Sequence, residues 1–269
     1  MPHDSVDLIG LMVIGFFAGA AGGLLGIGGA VVVIPALTLF LHYDQHLSQA
    51  VAMIVNVFVA IPALIWHHRR GAVRWNIVAR ILPFAIVLVL VGVAVSDRVD
   101  GELLRRAFGL FLVYLVAVSL LWLSRDRRED QAVQPRNDLR TAATVGSSTG
   151  FLAGLLGIGG GPVAAPLLHR VCLLPVREAV GTSLAVVCVT SIVGAARRNT
   201  TLAGLTDSAG VSLGLSVSDS LWLAACLIPT AMVGAVVGAD LTHRVSSRAV
   251  RTAFLIVMCW AGIQMLGRF

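Results

Sequence analysis

Two seven-residue strings, Gly23-Leu-Leu-Gly-Ile-Gly-Gly29 and Gly154-Leu-Leu-Gly-Ile-Gly-Gly160, stand at an offset of 131 residues (154 − 23) inside apolar sequence. At that offset Gly19 also matches Gly150 and Pro35 matches Pro166. Seven consecutive identities mark an internal duplication. A glycine run inside a membrane-grade span frees backbone N–H and C=O groups, which survive in hydrocarbon only when buried in protein or lining a wet cavity. Half-helix N-termini at matching places in two halves would offer free N–H groups and positive dipole ends to an anion near the midplane. The residues placed to do this are Gly26, Gly28 and Gly29 in one half and Gly157, Gly159, Gly160 and Gly161 in the other. The competing reading is that the glycines only let two helices cross closely.

Further polar groups follow each string. Asn56 closes the segment that begins at Ala50, and Thr182 and Ser183 lie in the related segment that begins at Ala179. Each could donate to an anion from within the membrane, or satisfy a backbone carbonyl of its own or a neighbouring helix. Other groups carry blander expectations. The Arg69-Arg70 and Arg197-Arg198 pairs could recruit an anion to a vestibule, but they read first as orientation signals and lipid-headgroup contacts. His42 and His46 flank Asp44 in a turn without a Glu partner, which argues against a metal pair. His169 with Arg170, and Asp240 beside His243 and Arg244, read as local pairings, with a proton-coupling carboxylate the sharper reading of Asp240. The strings lack the later glycine of a dinucleotide fingerprint, Val31 and Pro162 standing there, and without any Lys no phosphate-binding loop can be completed.

Composition sets the environment. The chain is 57% hydrophobic and only 13% charged, against about a quarter charged for a soluble domain, so an integral membrane protein is expected. The net charge of +6 comes entirely from arginine. The arginines lie between apolar spans, so the positive-inside rule accounts for them and nucleic acid is not expected as a partner. Cys172, Cys188, Cys226 and Cys259 are scattered without a Cys-x-x-Cys and support neither a disulfide framework nor zinc. The first seven residues carry Asp4 and Asp7 and no Arg, unlike the basic start of a cleaved signal peptide.

The elements that must hold the glycines form about eight apolar helical segments in two homologous halves, an all-α polytopic design. The first half, residues 1–124, has a segment near 8–25, a break at 26–29, a short segment near 30–41, then spans near 49–66, 77–95 and 103–123. A charged linker covers 125–140. The second half, 141–269, repeats the order with a broken stretch at 141–168 and spans near 176–196, 221–241 and 249–266; a polar loop at 199–219 has no counterpart. The short segment of about 12 residues spans roughly 18 Å at 1.5 Å per residue, too little to cross alone. If every apolar stretch crosses, the arginines divide 12 to eight; if the two broken stretches are re-entrant, they divide 14 to six. The sharper split favours re-entry, and the three crossings per half that follow make the halves an inverted repeat.

The doubled strings, their downstream prolines and Ala179-Val-Gly-Thr182-Ser183-Leu resemble the TauE/SafE sulfite exporter family, also called the toluene-sulfonate uptake permeases. The resemblance spans nearly the whole chain. It implies a multi-pass transporter of a bacterial-type plasma (inner) membrane that moves sulfite, a sulfonate or a related small anion. Met53-Ile54 replace the Thr-Ser of resembling proteins, and Ala30 replaces the last glycine of the second copy, so the second half is the richer in polar groups. The expectation is a secondary transporter, not an enzyme, that works by alternating access around the two breaks. It needs no cofactor or metal, its partners are the anion and the lipid bilayer, and homo-oligomerisation stays open. A passive anion channel is the nearer alternative; a membrane-embedded enzyme or assembly factor is the further one.

Overall fold

The computed structural model describes residues 5–25, 28–125, 136, 138–206, 211–241 and 247–267. Most of the charged linker and Gly26 lie outside the described residues. Among the described residues ten α-helices follow in order: α1 Ser5–Leu25, α2 Ala30–Pro35, α3 Gln45–Arg69, α4 Trp75–Ser96, α5 Gly101–Arg125, α6 Leu139–Leu156, α7 Gly161–Arg170, α8 Val176–Thr201, α9 Val217–Leu241 and α10 Ser247–Gly267. A π-helical turn, Ala36–Phe40, extends α2. No β-strand occurs among the described residues, only an isolated bridge between Thr206 and Ser212. Among them four helices are long and apolar enough to cross a membrane: Gln45–Arg69, Trp75–Ser96, Val176–Gly204 and Val217–Leu241. Two of them, α4 and α9, expose Val87 and Val91, and Val233 and Val236, as lipid contact requires.

The segments fall where apolar length and glycine placement put them, and α3 begins four residues earlier than expected. Asp44 is its N-cap, accepting from the backbone N–H of His46 at 2.7 Å and of Leu47 at 3.4 Å. His46 is therefore a buried residue of the first helical turn and not part of a loop. The polar loop after α8 also starts later, because helix continues to Thr201 and a 3₁₀ turn covers Leu202–Gly204.

At each glycine string the chain folds back beside itself. A helix continuing straight would carry Gly29 about 16 Å beyond Ala18. Instead a Cβ on Gly29 would sit 3.3 Å from the Ala18 carbonyl oxygen, and one on Gly160 would sit 3.2 Å from that of Thr149. The short helices then run back along the helices that follow. Ala30, at the start of α2, lies against Asn56, well into α3, while the far end closes through Tyr43 N–H donating to the Leu37 carbonyl. In the second half Gly159 meets Thr190 of α8, and the far end of α7 closes through Leu174 N–H donating to Leu168.

Helices of one half pack on helices of the other: α1 on α9, α4 on α6, α3 on α8, α5 on α10. The tightest of these seams are made of small residues. Gly15, Gly19 and Gly23 of α1 press successively on Leu227, Ala231 and Ala235 of α9, so the two helices run parallel. Gly146, Gly150 and Gly154 of α6 press on Ile81, Ala85 and Val89 of α4 in the same sense. A Cβ at Gly19, Gly23, Gly150 or Gly154 would overlap a backbone carbonyl of the facing helix. In lipid such close backbone approach supplies the dispersion contact that holds helices together. By contrast α3 and α8 are antiparallel: Gly194 faces Met53, and Gly181 faces His67 and Ala72.

Candidate functional site

Different glycines of the strings do different structural work. Gly23 and Gly154, which open the strings, are helix-seam residues. The later ones make the breaks. Gly28 has φ +77°, and Gly157, Gly159 and Gly160 have φ of +71°, +68° and +89°, a left-handed conformation that costs an L-residue roughly 1–2 kcal/mol. Gly157 ends α6 as a left-handed C-cap, and Gly160 begins α7 with Pro162 in its first turn. Helix stop and helix start are thus compressed into Gly157–Gly161.

Asn56 joins the two breaks. Its Oδ1 accepts from the Ala30 backbone N–H at 2.9 Å, capping α2 from another helix, and its Nδ2 donates to the Ile158 carbonyl at 3.0 Å. Gly28 and Gly159 both lie against its amide: added Cβ atoms would sit 2.9 Å from Oδ1 and 2.6 Å from Nδ2. Asn56 is fully buried. The second break is held differently. Thr190 Oγ1 donates to the Gly159 carbonyl at 2.7 Å, and the buried hydroxyls of Ser191 and Thr149 beside it have no hydrogen-bond partner. On one side of this break Gln49 packs on Gly157 and links the Leu155 carbonyl to the Ser96 hydroxyl.

Arg198 completes the polar lining. Its side chain is fully buried, and Nη2 donates to the Gly154 carbonyl at 2.9 Å in the last turn of α6. Its Nη1 lies 3.7 Å from Asp97 Oδ1. This corrects the expectation for the second arginine pair: Arg69 and Arg70 are exposed, Arg70 lying over the Trp66 ring at 4.3 Å, but Arg198 points inward.

Of the residues singled out from sequence, Gly28, Gly29, Asn56, Gly157, Gly159, Gly160 and Gly161 come together around the breaks. Gly26 lies outside the described residues. Thr182 and Ser183 sit eight and seven residues before Thr190 on α8, about 12 Å along the helix. Thr182 Oγ1 there accepts from the Arg74 backbone N–H at 3.1 Å, and Ser183 Oγ donates to the Val180 carbonyl at 2.8 Å. The residues that line the breaks without having been singled out are Gln49, Thr149, Thr190 and Ser191, and Arg198 was singled out for a different role. Helical spacing carried a signal for most of them: Thr190, Ser191, Gly194 and Arg198 share one face of α8, as Gln45, Gln49 and Asn56 share one face of α3. Among the described residues no group of His, Cys, Asp and Glu is arranged to hold a metal. Cys172, in the turn after α7, is a buried thiol whose pKa burial pushes up to about 11, which keeps it protonated and inert.

A polytopic all-helical chain with two interrupted helices, meeting in a polar interior and wrapped in apolar surface, has the build of a membrane transporter. The sulfite exporter TauE/SafE family matches residues 11–265, nearly the whole chain, and the protein belongs to that family. Relatives carry transporter names. The chain is 30% identical over 190 residues to a probable membrane transporter protein of Methanocaldococcus jannaschii, covering 68% of this chain and 69% of that one. It is 25% identical to the probable membrane transporter protein YunE of Bacillus subtilis, over 95% and 96% of the two. It is 23% identical to the probable membrane transporter protein MamO of Paramagnetospirillum magneticum over 98% of its own length, but spans only 45% of that protein. No solved structure matches the chain.

Proposed function

We propose that the protein is a secondary transporter of a small anion, with sulfite, a sulfonate or a related sulfur compound as the substrate class. It would work by alternating access around the two glycine breaks, in a bacterial-type inner membrane. The observation that carries this reading is the bridge through Asn56. Its carboxamide oxygen occupies the N-terminus of α2, the position an anion would take, while its amino group holds the opposite break. A substrate that displaces it would uncouple the halves at the point where they meet. The unpartnered hydroxyls of Thr149 and Ser191 at the second break favour Gly157–Gly161 as the more direct contact. Thr182 and Ser183, farther along α8 toward its start, belong to the route on that side.

An inverted repeat underlies the mechanism. Exchanging α1–α5 with α6–α10 turns the pair α1 and α9 into α6 and α4, both parallel, and leaves the antiparallel pair α3 and α8 unchanged. Two matching helices that run oppositely support inversion, and the fold-back at each string supports re-entry. The 14 arginines on one side then mark the cytoplasmic face.

Purified protein in proteoliposomes, assayed with labelled sulfite, sulfate and sulfonates, tests the substrate class. Gly159→Leu, compared with wild type at equal amounts of inserted protein, is expected to abolish uptake, because its side chain enters the space between Ser191 and Asn56. Retained uptake at normal expression defeats the proposed site.

A further inference from the structure

Arg198 is costly where it stands. A buried guanidinium loses several kcal/mol of hydration, which only close pairing and full hydrogen bonding restore. Yet only Nη2 is hydrogen-bonded. Nε and Nη1 have no hydrogen-bond partner, leaving three N–H donors unsatisfied, and the Asp97 Oδ1 they face lacks one too. At 3.7 Å the two charges attract without hydrogen-bonding. Side-chain stability alone would select a closed pair, or apolar residues in its place.

The approach to Arg198 is also prepared. A cavity of about 280 Å³ opens where the α2–α3, α4–α5 and α8–α9 connections gather, on the arginine-poor side. Gln45 and His46 form part of its wall, both more than nine-tenths buried, with both polar atoms of the Gln45 amide and the His46 Nδ1 unpartnered. The wall also holds Asp44, Asp100, Glu102 and Arg105; from it His46 stands within electrostatic range of Arg198 and Asp97, and Arg198 reaches the Gly154 carbonyl at the edge of the second break.

We infer that Arg198 is the cationic group that receives the anion between this cavity and the glycine breaks, with Asp97 as the counter-ion the anion displaces. The inference rests on the transport reading above. An oxyanion fits the open donors, because a guanidinium hydrogen-bonds several of its oxygens at once.

The test is saturable sulfite uptake into proteoliposomes with Arg198→Lys, Arg198→Gln and Asp97→Asn, each with a melting curve in detergent. Arg198→Gln should lose saturable uptake, and Arg198→Lys, which keeps the charge but not the donor set, should raise KM about tenfold. Asp97→Asn should lower KM about tenfold, the change that about 1.4 kcal/mol of relieved competition produces. An ion pair that only braces α4 and α8 predicts the reverse: KM unchanged in Arg198→Lys, and unchanged or raised in Asp97→Asn. Either result overturns the inference, even if Arg198→Gln fails to fold. Wild-type vesicles that move none of the anions would defeat the transport reading itself, whereas wild-type uptake with unaltered Arg198→Gln uptake defeats only the role of Arg198.

Discussion

Replacing Asn56 with alanine removes two hydrogen bonds at once and fills neither vacancy. The Ala30 N–H and the Ile158 C=O are backbone groups at helix breaks, where no helical turn offers a substitute. Each buried group left unpaired costs about 1–3 kcal/mol. Interhelical side-chain bonds in membranes average about 0.6 kcal/mol, because the released groups find other partners. Here the glycine conformations hold both groups in place, so the expected loss for Asn56→Ala is about 2–4 kcal/mol in reversible detergent unfolding. Asn56→Leu separates hydrogen bonding from packing, since it restores side-chain volume and neither bond. If hydrogen bonds hold the breaks together, Leu and Ala are destabilised alike. A loss below about 0.5 kcal/mol for Ala, or recovery by Leu, would refute this account of the bridge.

Other substitutions separate the roles of the glycines and surface groups. Gly150→Ala forces α6 away from the Ala85 carbonyl of α4 and should cost about 1–3 kcal/mol by overpacking. Gly10→Ala meets nothing within 4 Å and should be neutral or gain up to about 1 kcal/mol from helix propensity; both are read by the same unfolding assay. Glu178→Gln breaks a 2.7 Å pair with the half-exposed Arg74, a contact worth less than about 1 kcal/mol, and added salt should shrink the difference. In a variant with the other three cysteines changed to alanine, Cys172 should resist maleimide at pH 7 and label only on unfolding. Its folded pKa lies above the ordinary thiol value, so raising the pH toward 9 should leave the folded protein slow to label.

Much of the frame was legible because membrane helices announce themselves by length and apolarity. The end of α1 at Leu25, the short segment that starts at Ala30 and the spans bounded by arginine pairs lie close to where the sequence put them. Direction and partner were harder. A glycine run shows that a helix stops, but Gly29 lying back beside Ala18 depends on contacts no local pattern records. The same limit governs the site. Asn56 stood out as an amide in a span, yet its depth level with both breaks follows from α2 running back along α3. Thr182 and Ser183 stood out as adjacent hydroxyls, but α8 carries them away from the break and brings Thr190 and Ser191 there instead. Arg198 resembled Arg69 and Arg70 in sequence; one residue of rotation about α8 separates the half-buried Arg197 from a neighbour buried against Gly154.

Alternating access around the paired breaks makes one kinetic demand that neither a channel nor an enzyme meets. Labelled sulfite uptake into proteoliposomes should saturate, and unlabelled sulfite preloaded inside should accelerate it, because a loaded site returns faster than an empty one. Uptake that rises linearly with concentration and ignores the internal anion would contradict the account.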